Sequence, residues 1–176
     1  MHRHAETRSL PYSPKQMFDL VADIGRYPEF LPWCLAARVT GRENGVLLAD
    51  VVVGKGLFRE TFHSRVTLSG GGAWDSAGAM EGEGEGAEAK AGEDKDRAPP
   101  RIDVEYIRGP MREMANHWVF HPVDSGTEID FLVEFNFHSR VLDALIGTVF
   151  DHVVTHMVDA FETRADVLYG AGAEAD

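Results

Sequence analysis

From Glu128 to Phe137 apolar and polar residues alternate, so that Phe131, Val133, Phe135 and Phe137 share one face of a predicted strand, because side chains on a strand point to opposite sides in turn. A different period then takes over. Val141, Leu142, Leu145, Ile146, Val149, Phe150, Val153, Val154, Met157, Val158, Phe161 and Leu168 recur at the three-and-four spacing of one helical face, which predicts a single amphipathic helix over 141–169. Such a helix is far longer than the globular average, and its apolar stripe runs nearly end to end. It needs a broad apolar surface to lie on, and the preceding strands supply one. A sheet that grips a helix either packs solid or leaves a slot for an apolar ligand. Which of the two holds is the functional question.

Upstream, residues 3–10 alternate weakly and read as a first strand. Ser13-Pro14-Lys15-Gln16 marks a helix start: Ser13 caps, Pro14 suits the first helical position and Gln16 completes a capping box. Met17, Phe18, Leu20 and Val21 form its buried stripe, and the stretch Tyr27 to Pro32 breaks it into a short second turn. Strands are expected at 36–42, 46–53, 57–68, 101–108 and 112–123, with turns at Glu43-Asn44-Gly45, Gly54-Lys55-Gly56 and Gly109-Pro110. Residues 70–100 are Gly, Ala and Glu with almost no aliphatic side chain, too little apolar surface to offset ordering entropy. They read as a disordered acidic insertion between two strands, an inert one in preference to a functional arm. The final helix is expected to stop at Gly170 in a left-handed cap. The sum is an α+β, helix-grip fold in which a curved antiparallel sheet wraps a long C-terminal helix. It forms one domain over 1–170, interrupted at 70–100, with a tail at 171–176.

The chain has 176 residues, a single-domain length. Its net charge is −12. The stretch 69–98 holds eight acids against three bases, so five of those twelve charges are local and seven belong to the rest. That balance argues against direct DNA binding, which needs clustered Lys and Arg. One cysteine, Cys34, allows no internal disulfide and fits a reducing compartment. No stretch has the apolar length of a membrane span, and the N-terminus lacks the apolar core of a secretory signal. A cytoplasmic bacterial protein is expected, with peripheral contact at the inner membrane left open.

Catalytic constellations are sparse. His152 and His156 stand at i and i+4, a spacing at which two imidazoles can share a metal, but Val153-Val154-Thr155 between them lacks the glutamate of a zinc-protease motif. The pair lies off the apolar stripe and reads as solvent-facing. His2, His4, His117 and His121 read as surface histidines, and no Cys/His cluster has zinc spacing. Cys34, beside Trp33 in an apolar loop, reads as an unactivated thiol. No Gly-x-Ser-x-Gly elbow or phosphate loop is present. No catalytic residue, metal or cofactor is therefore expected. Two polar positions fall on predicted inward faces: Glu60, in line with Phe58 and Phe62, and Asn116, in line with Met114, Trp118 and Phe120. A carboxylate on an apolar face is costly unless paired or hydrated, so Glu60 is an acid in a pocket or serves a ligand's polar head, or else it lies wet at the open rim or pairs with an arginine such as Arg112.

Several stretches carry a resemblance: Tyr12 to Asp23 (YSPKQMFDLVAD), Tyr27 to Cys34 (YPEFLPWC), Gly109 to Arg112, Asn116 to Phe120, Phe135 to Arg140 and Ala160 to Ala165. In this order they resemble the coenzyme Q-binding branch of the START-like (polyketide cyclase/dehydrase-type) superfamily, which also includes bacterial proteins described as ribosome-association toxins. The acidic insertion departs from the compact members. The resemblance implies a helix-grip cavity that accepts a hydrophobic ligand. In mitochondrial members that ligand is ubiquinone, bound or delivered in support of respiration without being transformed.

Residues and resemblance agree on a non-enzymatic binder of a polyprenyl quinone. The alternation nominates Phe58, Glu60, Phe62, Asn116, Trp118, Phe120, Phe131, Val133 and Phe135 from the sheet, and Val149, Phe150, Val153, Met157 and Phe161 from the helix. Phe30, Leu31 and Trp33 would form a mouth that touches a membrane during transfer. For each of them a plain core position is the alternative. The rival functions are a ribosome-associated interaction protein and, last, a cyclase or dehydrase using Glu60 or a histidine as acid/base.

Overall fold

The computed structural model describes residues 1–55, 57–70 and 98–170. The predicted insertion and tail fall outside these residues at 71–97 and 171–176. Seven strands form one antiparallel sheet: β1 (His2–Leu10), β2 (Cys34–Glu43), β3 (Val46–Lys55), β4 (Phe58–Ser69), β5 (Arg101–Arg108), β6 (Met111–Val123) and β7 (Gly126–Phe137). Their order is β1-β7-β6-β5-β4-β3-β2, so every neighbouring pair but β1–β7 is consecutive in the chain. That is the natural outcome of hairpin turns. Asn44 and Gly45 both take positive φ, 49° and 76°, the twist that a two-residue hairpin demands and that Asn-Gly supplies at least cost. Ser69 pairs with Arg101 across β4 and β5, so the insertion joins strands that are already neighbours.

Helix α1 (Pro14–Ala22) starts as its sequence dictates: Ser13 accepts from the Gln16 N–H, and the Gln16 side chain accepts from the Ser13 N–H. A 3-10 turn, Ile24–Glu29, follows and carries Pro28. The C-terminal region corrects the expectation of one long helix. It is two helices, α2 (Arg140–Gly147) and α3 (Phe150–Tyr169), meeting at a bend of 62°. The break falls at Thr148-Val149. Just before it, a Cβ at Gly147 would lie 2.7 Å from the His2 ring, so the end of α2 passes close over that imidazole. The hydrophobic period continues through the bend because both helices lay an apolar face on the same sheet, and periodicity does not register a change of axis. The end at Gly170 also differs from expectation: its φ of −72° is extended, not left-handed. Among the described residues no single helix is long and apolar enough to cross a membrane.

The core lies between the concave sheet and the helices. Phe18, Phe120, Met17, Leu47 and Ile102 are almost wholly enclosed. Phe18 on α1 meets Phe120 on β6 edge-to-face at 5.7 Å between centroids.

Candidate functional site

The core is not solid. Between the middle of the sheet and α3 lies a cavity of about 340 Å³, within the range of about 300–1,000 Å³ that small-ligand sites occupy. Phe62, Ser64 and Val66 of β4, Met114, Asn116 and Trp118 of β6, and Val133 and Phe135 of β7 form its floor, with Ala49, Val51 and Val53 of β3 and Ile102 and Val104 of β5 beside them. Phe150, Val153, Val154, Met157 and Phe161 of α3 and Ile146 of α2 form its roof. Val21, Ile24, Tyr27, Leu31 and Trp33 close one flank, and Met111 stands at the end of the sheet. No charged side chain belongs to the described wall.

The deep end holds buried Val21, Ile24, Ala49, Val66 and Ile102, whereas Trp33, Val53, Met111, Ile146 and Val153 are half-buried or exposed. The slot therefore opens where β3 turns into β4, β5 into β6 and β7 into α2.

Two polar side chains reach this apolar space. Asn116 is held in place: its Oδ1 accepts from Trp118 Nε1 at 2.7 Å and its Nδ2 donates to the Leu132 carbonyl at 3.0 Å. One amide N–H remains to spare. Ser64 is 6% exposed and its hydroxyl has no hydrogen-bond partner among the described residues. Ser64 lines the cavity, where its hydroxyl can meet a ligand atom. Both groups thus offer a donor to a ligand atom. Tyr27 is already committed, donating to the Val21 carbonyl, and burial pushes its phenol well above the ordinary range.

Of the residues nominated from sequence, Leu31, Trp33, Phe62, Asn116, Trp118, Val133, Phe135, Phe150, Val153, Met157 and Phe161 meet at the cavity. Six do not. Phe120 points into the packed core against Phe18, and Phe131 sits behind Trp118 at 4.5 Å. Phe30 is not part of a mouth: its ring packs on Tyr27 and Phe161 at 5.9 and 5.1 Å, with the Arg164 guanidinium 5.5 Å above it. Phe58 and Val149 are exposed, at the end of β4 and at the helix break. Glu60, opposite Val53, is at the open end of β4 and outside the wall, the wet-rim alternative. Ser64, the β3 trio and Met111 went unnominated. In β3, Asp50 marks the face of Leu48 and Val52 as outward, opposite Leu47, Ala49, Val51 and Val53, but the run Val51-Val52-Val53 blurs the period, and pairing with β4 carries the inward set to the cavity floor. Ile102 and Val104 do alternate with Asp103 and Glu105, a signal that was there to read.

The remaining chemistry is structural. Cys34 is buried, and desolvation pushes its thiol up. His152 and His156 are exposed, with rings 4.0 Å apart, and no cluster of three metal-ligating side chains occurs among the described residues. His117 and His121 lie within 2.5 and 2.9 Å of Asp103 and Asp130 on the sheet surface. His2 is no free surface histidine: its side chain is 19% exposed, 3.1 Å from Asp143 and stacked near Phe135 and Phe150.

Residues 10–162 match the family model described as polyketide cyclase / dehydrase and lipid transport. The chain belongs to this family. It is 35% identical over 161 residues to the ribosome association toxin RatA of Rickettsia prowazekii, covering 90% of this chain and 92% of that protein. It is 28% identical over 177 residues to the mitochondrial coenzyme Q-binding protein COQ10 homolog B of Xenopus laevis, covering 95% of this chain and 59% of the frog protein. The solution structure of the 18 kDa protein CC1736 from Caulobacter crescentus superposes with a TM-score of 0.65 at 31% identity, over 97% of this chain and all of that one. The family expected from the motifs and the helix-grip fold are both shown. Within the polyketide cyclase / dehydrase and lipid transport family, both kinds of relative anticipated from the motifs, a RatA and a COQ10, align over nearly the whole length of this chain.

Proposed function

We propose that this protein holds a polyprenyl quinone in the cavity between the sheet and α3, without transforming it, and so supports quinone delivery or respiratory electron transfer from the cytoplasmic side. The observation that carries this reading is the wall itself. A space of about 340 Å³ is lined by aliphatic and aromatic side chains with two spare hydrogen-bond donors, Ser64 and Asn116. Burying an isoprenoid there is favourable by roughly 25 cal/mol per Å² of apolar surface removed from water. A carboxylate or phosphate head entering the same wall would find no counter-charge, which is costly. A neutral head that accepts hydrogen bonds, as quinone carbonyls do, matches the two donors. The wall also lacks the carboxylate or imidazole that proton transfer would need, which supports binding over cyclase chemistry. The COQ10 relative favours the same ligand class.

The test is to purify the protein from its own organism and analyse the co-purified lipid. Quinone near one equivalent is expected, and Ser64→Val should reduce it. An empty cavity, or one filled with phospholipid, would overturn the reading. A second reading rests on the RatA relative: association with the ribosome. Co-sedimentation of the ligand-free protein with large ribosomal subunits would favour it.

A further inference from the structure

The open end of the cavity is unlike the rest of the surface. Helix α2 is apolar on two sides. Leu142 and Ile146 pack inward, while Val141 and Leu145, one turn apart, are 80% and 63% exposed and continue into exposed Val149. Around them, at the same end of the sheet, stand exposed Leu35, Leu57 and Ile107. Strand register puts Met111 beside Phe137, just before α2, and Arg108 beside His63, five positions along β4 from Phe58. An outward apolar helix face with no partner is a docking feature when something complementary is defined for it.

Charge defines it. In a chain of net charge −12 carboxylates are plentiful, and basic side chains elsewhere hold them: Arg8 with Glu6, Arg38 with Asp50, Arg101 with Asp103 and Arg164 with Glu29. Arg59, Arg108, Arg112 and Arg140 make no ion pair with a carboxylate among the described residues, and all four are at the open end, on β4, the two sides of the β5–β6 turn and the start of α2. Arg108 meets the His63 ring at 3.3 Å, and apolar side chains beside guanidinium groups that hold no carboxylate match a bilayer interface that carries anionic lipid. The cavity adds a third point: about 340 Å³ is near the lower end of ligand-site volumes. It holds a head and the first part of a tail, so a longer tail emerges at this end.

We propose that this end docks on the surface of a bilayer bearing anionic lipid. The outer face of α2 enters the interface and Arg59, Arg108, Arg112 and Arg140 meet the phosphates. A lipid then passes head-first into the cavity while its tail stays among the acyl chains. The proposal rests on the lipid-binding reading above and adds the surface, its orientation and the lipid charge it requires.

Sedimentation of the full chain with phosphatidylcholine vesicles, with and without phosphatidylglycerol, tests it. Binding should need phosphatidylglycerol and weaken with salt. At roughly fivefold per basic residue, the equivalent of about 1 kcal/mol each, Arg112→Gln with Arg140→Gln should weaken binding about 30-fold. Val141→Glu with Leu145→Glu should weaken it comparably, and both pairs lie at exposed positions whose folding is checked by thermal melting. Quinone uptake from cyclodextrin, without vesicles, is measured in parallel and should be unchanged in both variants. Wild-type protein that ignores anionic vesicles, or variants that bind them as well as wild type, would overturn the docking surface while leaving ligand binding intact. Vesicle binding without quinone uptake would instead overturn the ligand reading. Variants that lose co-sedimentation with ribosomes, while vesicles are ignored throughout, would assign this face to the ribosome and overturn the proposal.

Discussion

Phe161 links stability to the site. It is 4% exposed and touches Tyr27, Phe30 and Trp118 at 5.1 to 5.3 Å between centroids, yet part of its surface faces the cavity. Truncating a buried ring costs about 3–5 kcal/mol, and that loss is expected for Phe161→Ala in urea unfolding. A cost below about 1 kcal/mol would show that the ring mostly lines open space. Trp33 is the contrasting residue, half-buried at the open end and lining the slot. Trp33→Phe should keep the fold and remove the largest ligand-induced change in tryptophan fluorescence; an undiminished change would assign the signal to Trp118. These two residues were legible from sequence because an aromatic on an inward face or in a Pro-bounded loop has few other uses. Phe120 and Phe131 obey the same alternation but lie where α1 and Trp118 fill the space. A face can be read from periodicity, whereas depth along that face cannot.

Helix α2 is the most lightly held element described. None of its residues is fully buried, and one polar anchor is Asp143. The Phe137 N–H donates to its carboxylate at 3.2 Å and, with the nearby His2, holds its carboxyl below the usual range despite a smaller desolvation push upward. A carboxyl depressed by folding contributes stability that is present above its unfolded value, near 3.8, and lost as pH falls through the folded value. Amide exchange over 140–147 should therefore accelerate below about pH 4, relative to α3, while Asp143→Asn shows no such pH-dependent step. Equal acceleration in both proteins would remove Asp143 as the anchor. The existence of α2 was legible in its apolar spacing, but its separation from α3 was not. The end of α2 lies against His2, a residue 145 positions away in the chain, whose ring stands beside Gly147.

At the scale of the molecule, β4 and β5 pair directly on either side of residues 71–97. Because Ser69 and Arg101 are paired, replacing residues 71–97 with a short Gly/Ser turn should preserve the fold and keep the thermal midpoint within about 2–4 °C, the equivalent of roughly 1 kcal/mol in a domain of this size. A larger fall would give the insertion a structural role. The sequence by itself determined the elements and their nature: strand alternation, the Ser13 capping box, the Asn44-Gly45 hairpin and the amphipathic C-terminal region are local, and local sterics and hydrogen bonding dictate them. It also determined that the strand and helix faces turned inward would be apolar. Tertiary structure alone decided three things. It carried β3's inward face to the cavity floor through pairing with β4, since alternation marks a face but not its neighbours. It put a 62° bend into the C-terminal helical region, which a continuous apolar period does not register. And it left the middle of the sheet unfilled beneath α3, because a void is a difference between side-chain volume and backbone geometry, and residues of one list can pack solid or enclose a slot depending on how far apart the curved sheet holds them.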